Sequence, residues 1–331
     1  MFALLREAQE AGVETLFPAI VVATIVEDQN RVRGAVVATR YGLRAVLAKV
    51  VIDATGNADV AAAAGAACVY TDQSEFAMQG TGLPPRQLGA AYTNTDYAYT
   101  DETDLVDVWH LFVYAKEQYS KAFDLGQLVD TRERRQIVGD FTLTVLDQVA
   151  GRTFPDTIAK SKTNYDTHGY IVEPYFLLRH PHGRSFTSYV PYRCLLPKGL
   201  EGLLVTGIGL SAHRDAQPIV RMQPDIQNQG YAAGVAAAMA AQSGTLLRHI
   251  DIRALQRHLV EIGNLPESVL TDEDSHPLPA ERIAAAVETI LDDDGSLAII
   301  LGHRDASLPL LQQAYRKATG EQQIAYAKAL A

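Results

Sequence analysis

The chain has 331 residues, a formal net charge of -10 at pH 7, 47% hydrophobic residues and 21% charged residues. This length and composition predict a soluble globular protein of about two domains. A uniform negative field repels nucleic acid and anionic membranes, so the charge argues against both as partners.

Cysteine usage and apolar runs bear on the compartment. Cys68 and Cys194 lie far apart and form no C-x-x-C pair, so neither a disulfide framework nor a thiol zinc site is predicted. Two buried free thiols are typical of a reducing compartment, which predicts a cytoplasmic protein. No run reaches about 18 apolar residues, and the first residues lack the apolar core of a signal peptide.

The first 50 residues predict one helix followed by a β-meander. Apolar residues recur at helical spacing over residues 1–11, and Gly12 is placed to end that helix. Four β-branched runs follow, separated by turn residues, and they predict strands. The runs lie at residues 16–26, 32–39, 43–47 and 49–52.

The fourth strand ends in a turn of small residues. They are Asp53, Ala54, Thr55 and Gly56. Small side chains let the backbone come close to a ligand, whereas an ordinary strand-to-helix turn favours the same residue types. Asn57 or Asp59 can cap the alanine-rich helix that follows.

The middle of the chain carries the candidate substrate-side residues. Residues 105–123 predict a helix whose aromatic side chains belong to a core. Arg135 is either part of a solvated face or an anion clamp. His168 lies near a carboxylate that can fix one imidazole tautomer, although an ordinary surface histidine would look the same. The histidines do not fall at the helical spacing of a metal site, so no metal is predicted.

A strand, a glycine turn, a charged loop and a small-residue helix follow one another over residues 203–240. The turn contains Gly207, the loop contains Arg221, and the helix is predicted from Gly230, with Ala233 in its first turn. A helix start offers free N–H groups and a positive dipole end. This order is therefore typical of a site that docks an electron-rich cofactor.

Three stretches together resemble the FAD-dependent oxidoreductase family that shares its fold with succinate dehydrogenase flavoproteins. In that family a glycine-ended strand leads to a loop with an arginine and then to a Gly-x-Ala-Ala-Gly helix whose start faces the flavin. The matching residues here are Gly207, Arg221, Gly230, Ala232, Ala233 and Gly234. The second stretch is the strand-turn signature at residues 50–60, and the third is a central region that includes Arg135, Asp156, Tyr165 and His168.

The resemblance implies an α+β or α/β fold with FAD as cofactor. It implies an FAD/NAD(P)-binding-type domain at residues 1–66 and 190–263, an inserted cap domain at 67–189 and a helical tail at 264–331. The family opens with a strand, G-x-G-x-x-G and a helix, and this chain lacks that unit before its first helix. We therefore expect the binding domain to be incomplete.

Residues 264–331 predict a series of short apolar helices that resembles an α-solenoid of the HEAT kind. Such units cannot bury their apolar faces singly, and about three are needed for stability. Only one and a half are recognisable here, so both ends of the chain look cut from a longer design.

The resemblance predicts hydride transfer between a small organic substrate and the flavin. His168, His213 or Tyr165 would take the accompanying proton, and Arg135 would face the substrate. We expect one of two consequences of the incomplete domain. Either a partner chain supplies the missing unit, or the chain is an inactive product. A non-catalytic binding protein is the second hypothesis. A nicotinamide enzyme that uses the G-x-G-x-x-A match at residues 207–212 is the third.

Overall fold

The computed structural model describes residues 2–70, 78–81, 98–99, 104–118, 128–129, 135–167, 171–179 and 183–331. The strands are β1 (Ala19–Glu27), β2 (Arg31–Thr39), β3 (Gly42–Leu47), β4 (Val51–Asp53), β5 (Cys68–Tyr70), β6 (Met78–Thr81), β7 (Ala98–Tyr99), β8 (Leu128–Val129), β9 (Arg135–Ile137), β10 (Thr157–Asn164), β11 (Ser185–Pro191) and β12 (Leu203–Val205). The helices are α1 (Phe2–Glu10), α2 (Asp59–Ala63), α3 (Leu105–Gln118), α4 (Val145–Val149), α5 (Pro174–Leu178), α6 (Gln217–Val220), α7 (Gln223–Ser243), α8 (Ile252–Glu261), α9 (Ala280–Glu288), α10 (Asp294–Gly302), α11 (Arg304–Lys317) and α12 (Gly320–Leu330).

The predicted meander is confirmed as the antiparallel sheet β1-β2-β3. β1 begins at Ala19, three residues later than predicted, because Pro18 has no N–H to donate to the ladder. A short 3-10 helix, Asp28–Asn30, makes the first turn, with Asn30 at φ 56°. The helix predicted over residues 1–11 is confirmed as α1.

The central feature for function is the parallel pair β4-β12. Val51 pairs with Leu203, and Asp53 pairs with Val205. The three residues of β12 are completely buried, as the unbroken apolar run predicted. Parallel pairing places the carboxyl ends of both strands at one edge, so the turns that follow them meet there.

The long helix α7 begins earlier than predicted. It starts at Gln223 rather than Gly230, because Pro224 is tolerated in a first helical turn, where its missing N–H is not needed. Gly244, at φ 72°, ends it. Neither α7 nor any other helix in the described parts of the chain is long and apolar enough to cross a membrane.

Two hydrophobic clusters hold these elements. The smaller surrounds β4 and β12 and includes Val32, Val60 and Leu203. The larger runs from Leu143 to Tyr326 and contains side chains from both sides of the predicted boundaries at 190 and 264. The division into three domains stays a prediction. The large cluster contains residues of all three predicted domains, which therefore share one hydrophobic core.

The predicted tail helices form as α9 to α12. Arg152 clamps the start of the tail through two hydrogen bonds to the carboxylate of Asp274, at 2.9 and 3.0 Å. Arg179 donates to Asp294 at 3.0 Å and so fixes α10 against α5. The resemblance of these helices to a repeat of the HEAT kind stays a prediction.

The helix predicted over residues 105–123 is observed as α3, and residues 119–123 lie outside the described ranges. The prediction that the aromatic side chains of this helix are buried is wrong for Trp109, which is 61% exposed. The buried side of the helix includes Leu111, at 2% exposure. The three- and four-residue spacing was correct for a helix but placed Trp109 on the packed side, where the structure does not have it.

Candidate functional site

Asp53 is buried at the end of β4 and organises the turn after it. Its carboxylate accepts hydrogen bonds from the backbone N–H of Thr55 at 3.0 Å, from the Thr55 hydroxyl at 2.7 Å and from the N–H of Ala61 at 2.9 Å. Asp53 is only 1% exposed, and its carboxylate bonds to the protein itself. Asp53 therefore shapes the predicted cofactor turn from within.

The start of α2 is capped differently from the prediction. Asn57 and Asp59 do not cap it; Ala58 occupies the N-cap position in the left-handed region, with no side-chain cap. The Thr55 hydroxyl instead accepts from the N–H of Asp59 at 3.0 Å, and Asp53 accepts from Ala61. Asp53 and Thr55, which lie at the start of the turn before the helix, therefore satisfy two of the N–H groups in its first turn.

The turns after β4 and β12 pack directly on each other. A Cβ placed on Gly56, which has φ 80°, would lie 3.8 Å from the side chain of Ile208. A Cβ on Gly209 would lie 3.1 Å from the backbone nitrogen of Ala58, closer than ordinary packing allows. Residues 54–58 and 206–209 therefore form a single surface at the carboxyl edge of the parallel pair.

Several groups on this surface are open. Ala54 and Thr55 are exposed, and a Cβ on Gly207 would meet no atom within 4 Å. α7 packs against β4 and the Gly207 turn, and Gly230 on that helix also faces open space. Ala233 is different, because it is completely buried in the large cluster and reaches no ligand unless the core opens.

Some buried polar atoms beside this surface have no hydrogen-bond partner among the described residues. The Thr206 hydroxyl, at the end of β12, is buried and makes no hydrogen bond among the described residues. Native proteins rarely leave such a group unpaired. An unpaired hydroxyl beside an open glycine turn fits a site for a polar, flat ligand. These residues therefore fit a flavin.

Asp215 and Arg221 join the two stretches that the sequence singled out for chemistry. The Asp215 carboxylate accepts from the N–H groups of Val172 and Glu173, both at 2.7 Å. Arg221 donates to the backbone oxygen of Asp166 at 2.8 Å. The loop after β12 and the predicted substrate-side segment are therefore held together. The sequence reasoning gave Asp215 no role, and its only signal was its place two residues after His213.

His213 is half-buried in this loop with a fixed ring orientation. Its Nδ1 accepts from the backbone N–H of Asp215 at 3.2 Å. A neutral imidazole that accepts at Nδ1 carries its proton at Nε2. The geometry thus makes Nε2 a donor, and His213 is poorly suited to the proton-acceptor role that the sequence suggested.

Tyr165 lies in the core. Its hydroxyl donates to Oε1 of Gln148 at 2.9 Å, and its ring packs edge-on against Phe176. Burial raises the pKa of its phenol well above the usual range, with smaller contributions from Tyr175 and Glu173. This placement argues against Tyr165 as a proton acceptor, because the charged form is disfavoured and the hydroxyl is already used.

Arg135 lies on β9 beside the α2 turn. It forms a 2.6 Å ion pair with Asp59 and its guanidinium lies over the Tyr70 ring. Because its charge is paired with Asp59, Arg135 is poorly placed to bind a substrate anion. His168, the other predicted residue of this set, lies outside the described residues.

The G-x-G-x-x-A match does not form a dinucleotide fingerprint. Gly207–Gly209 is a short 3-10 helix, and the next helix, α6, has four residues and starts at Gln217. A dinucleotide phosphate needs a helix start directly after the glycine turn. The structure therefore gives no support to the nicotinamide hypothesis.

Comparison with known proteins identifies the family. A family model described as FAD dependent oxidoreductase matches residues 1–108 and 108–259. No curated protein and no solved structure matches the chain. The matched residues include both turns at the edge of the parallel pair and the start of α7. The chain belongs to the FAD dependent oxidoreductase family, and its cofactor is FAD.

Proposed function

We propose that this flavin oxidoreductase transfers hydride between a small organic substrate and FAD held at the carboxyl edge of β4 and β12. One observation carries the proposal: the turns after these strands pack into one surface in which Gly207 is open, and α7, the helix that carries the open Gly230, packs against that turn. Ligands of open parallel sheets bind outside the carboxyl ends of the strands. The family match, which covers both turns, supports FAD as the cofactor.

The chain's own residues would hold the cofactor in three ways. Gly207 and the exposed Ala54 and Thr55 let its atoms approach the backbone. Gly230 leaves room along α7, and the unpaired Thr206 hydroxyl supplies a hydrogen bond. Bound FAD supplies the hydride acceptor or donor that no amino-acid side chain provides.

The loop from His213 to Arg221 would position the substrate. Asp215 holds the backbone of Val172 and Glu173, and Arg221 holds that of Asp166, so these three residues would border the substrate. His213 would donate from Nε2 to an oxygen or nitrogen of the substrate. His168 stays the proposed proton acceptor, since Tyr165 and His213 are both committed as donors.

A dinucleotide-binding unit beside β4 would complete the site. Val51 donates to Gly202 and Asp53 accepts from Thr206, so both direct their backbone groups toward β12. Alternate residues of a parallel strand bond to opposite neighbours, which leaves Ile52 facing the other edge. β4 pairs with β12 alone among the described strands. We propose that a partner chain docks a strand there and supplies the phosphate-binding turn.

The finer features of the family resemblance belong to the same proposal. They are the succinate dehydrogenase-like fold, the cap domain, the HEAT-like tail and a cytoplasmic location. The small-residue turns and the tail helices support the first and third of them. The two free cysteines are consistent with a reducing compartment.

The proposal is tested by loading the purified full chain with FAD and removing oxygen. Alcohols, 2-hydroxy acids and amines are then added, and loss of the visible flavin absorbance is followed. The proposal expects flavin binding and bleaching by at least one donor class. A chain that retains no flavin after free FAD is removed, both alone and together with any protein that copurifies with it, would instead support the non-catalytic binding protein.

A further inference from the structure

The short helix α6 connects the two parts of the chain that border the proposed flavin site. Its residues, Gln217–Val220, follow the loop after β12 and lead into α7. All four are buried, and Ile219 and Val220 are completely buried in the large hydrophobic cluster. α6 is therefore an internal connection between the Gly207 turn and α7, which we call the two walls of the site.

The side chain of Gln217 holds the start of α6 to the first wall. Its Nε2 donates to the backbone oxygen of Ile208, in the Gly207 turn, at 3.1 Å. The same atom lies 3.5 Å from the backbone oxygen of Leu210, directly after the turn. Gln217 is completely buried, so water cannot readily take over these contacts. The amide therefore fixes the backbone of the turn relative to α6.

The side chain of Gln229 holds the end of α6 to the second wall. Gln229 lies on α7, directly before the open Gly230. Its Nε2 donates to the backbone oxygen of Val220, the last residue of α6, at 2.7 Å. Gln229 is also completely buried. The Gly207 turn, α6 and the middle of α7 are thus linked in series by two buried amides.

Both amides leave their oxygen without a partner. Oε1 of Gln217 and Oε1 of Gln229 are buried and make no hydrogen bond among the described residues, which costs free energy. Gln256, equally buried, has both ends paired: Oε1 accepts from Arg253 at 2.8 Å, and Nε2 donates to two backbone oxygens at 2.9 and 3.0 Å. Departures from full pairing are expected where a residue serves function rather than stability alone.

We propose that Gln217 and Gln229 are positioning residues that hold the two walls at the separation that FAD requires. The proposal rests on the flavin site of the proposed function. An isoalloxazine ring is flat and rigid, so it cannot adapt to walls that move apart. A site that is already in place binds more tightly, because binding does not have to order the loop. Neither side chain needs to touch the cofactor for this role.

Three methionine variants of the full chain, together with any protein that copurifies with it, test the proposal. Methionine keeps the approximate volume and flexibility of glutamine but has no N–H to donate. Gln217→Met and Gln229→Met should raise the FAD dissociation constant, measured by flavin fluorescence, about tenfold or more. Gln256→Met is the matched control, since Gln256 holds residues at the start of β10 and neither wall. It should stay within about twofold of the wild type.

Two further measurements separate positioning from general stability. Urea unfolding without FAD should lower the midpoint of Gln256→Met at least as far as that of the other variants, because Gln256 makes three hydrogen bonds. The reduction potential of the bound flavin, measured at saturating FAD, reports the surroundings of the ring. It should shift in Gln217→Met and Gln229→Met but not in Gln256→Met.

The possible results distinguish this proposal from the proposed function. Wild-type affinity for FAD in either Gln217→Met or Gln229→Met would overturn the positioning role and leave the flavin site in place. An equal loss of affinity in all three variants would also overturn it, because general loosening of the fold would then be the cause. A wild-type chain that binds no FAD would overturn the proposed function, and the positioning role with it.

Discussion

The carboxylate of Asp215 lies 2.7 Å from the backbone nitrogen of Glu173, across the junction between the loop after β12 and the start of α5. The same oxygen accepts from Val172. Asp215 is only 2% exposed, so these two N–H groups have no ready replacement from water. Asp215 therefore holds Val172 and Glu173 in place, directly before α5.

Replacing Asp215 with Ala should lower the free energy of unfolding by about 3 kcal/mol, because two charge-assisted hydrogen bonds are lost and two N–H groups are left unpaired. Urea unfolding measures the loss. Hydrogen exchange should accelerate for the amides of Val172 and Glu173. Asp251→Ala, which removes the exposed N-cap of α8, is the matched control and should cost about 1 kcal/mol. Unchanged exchange at Val172 and Glu173 would refute this role.

A substitution at Asp53 tests whether this carboxylate acts only by shaping the turn or also by contact with FAD. Asp53→Asn keeps the shape but removes the acceptor for at least one of three hydrogen bonds. We expect the free energy of unfolding to fall by about 2 kcal/mol. FAD affinity should fall only as far as the turn loosens. A large loss of FAD affinity at unchanged stability would show that the carboxylate touches the cofactor.

His276 makes stability depend on pH where the tail meets the body. It lies in a cleft of about 700 Å³ between residues 141–152 and the tail helices, with the His303 ring 5.0 Å away. Burial, Arg152 and His303 lower its pKa, against smaller opposing effects of Asp147 and Asp274. The unfolded chain, with a histidine pKa of about 6.5, therefore binds this proton more readily than the folded protein.

The sign follows from that difference. The free energy of unfolding should fall as the pH drops below about 6.5, until the pH passes below the folded pKa of His276. Urea unfolding at pH 7.0 and 5.0 checks this. His276→Gln should reduce the pH dependence, and His249→Gln, at an exposed position, should leave it intact. Equal pH dependence in all three proteins would contradict the assignment.

Tyr165 and Gln148 form a buried donor–acceptor pair, so their substitution tests the structural interpretation. Tyr165→Phe should lower the free energy of unfolding by about 1 to 2 kcal/mol, because Oε1 of Gln148 loses its donor inside the core. Tyr41→Phe, at an exposed position, serves as control and should change stability little. A Tyr165→Phe variant as stable as the wild type would mean that the core readily re-pairs Gln148.

The sequence predicted the local structure well where one residue type has one strong preference. The meander, the buried run at Leu203 and the turn after Asp53 follow from β-branched residues, an apolar run and small residues. The sequence predicts α7 from Gly230, whereas the helix starts at Gln223, because Pro224 suits a first helical turn.

The site was harder to predict because its parts are distant in the chain. Asp215 bonds to residues about forty positions earlier, and no local pattern encodes that pairing. The ring geometry of His213 depends on one backbone N–H. The ion pair between Arg135 and Asp59 likewise depends on how β9 lies beside α2. Tertiary packing decides which of the polar residues stay available for chemistry.

The most direct test of the central claim is the FAD dissociation constant of Gly230→Leu, measured by flavin fluorescence beside the wild type. Leucine is a better helix former than glycine by about 0.5 to 1 kcal/mol, so the fold should not suffer, yet the side chain would occupy open space on α7, the helix that packs against the Gly207 turn. Gly302→Leu, at another open glycine, is the matched control. We predict at least tenfold weaker FAD binding for Gly230→Leu alone. Equal affinity in all three proteins would contradict a flavin site at this edge.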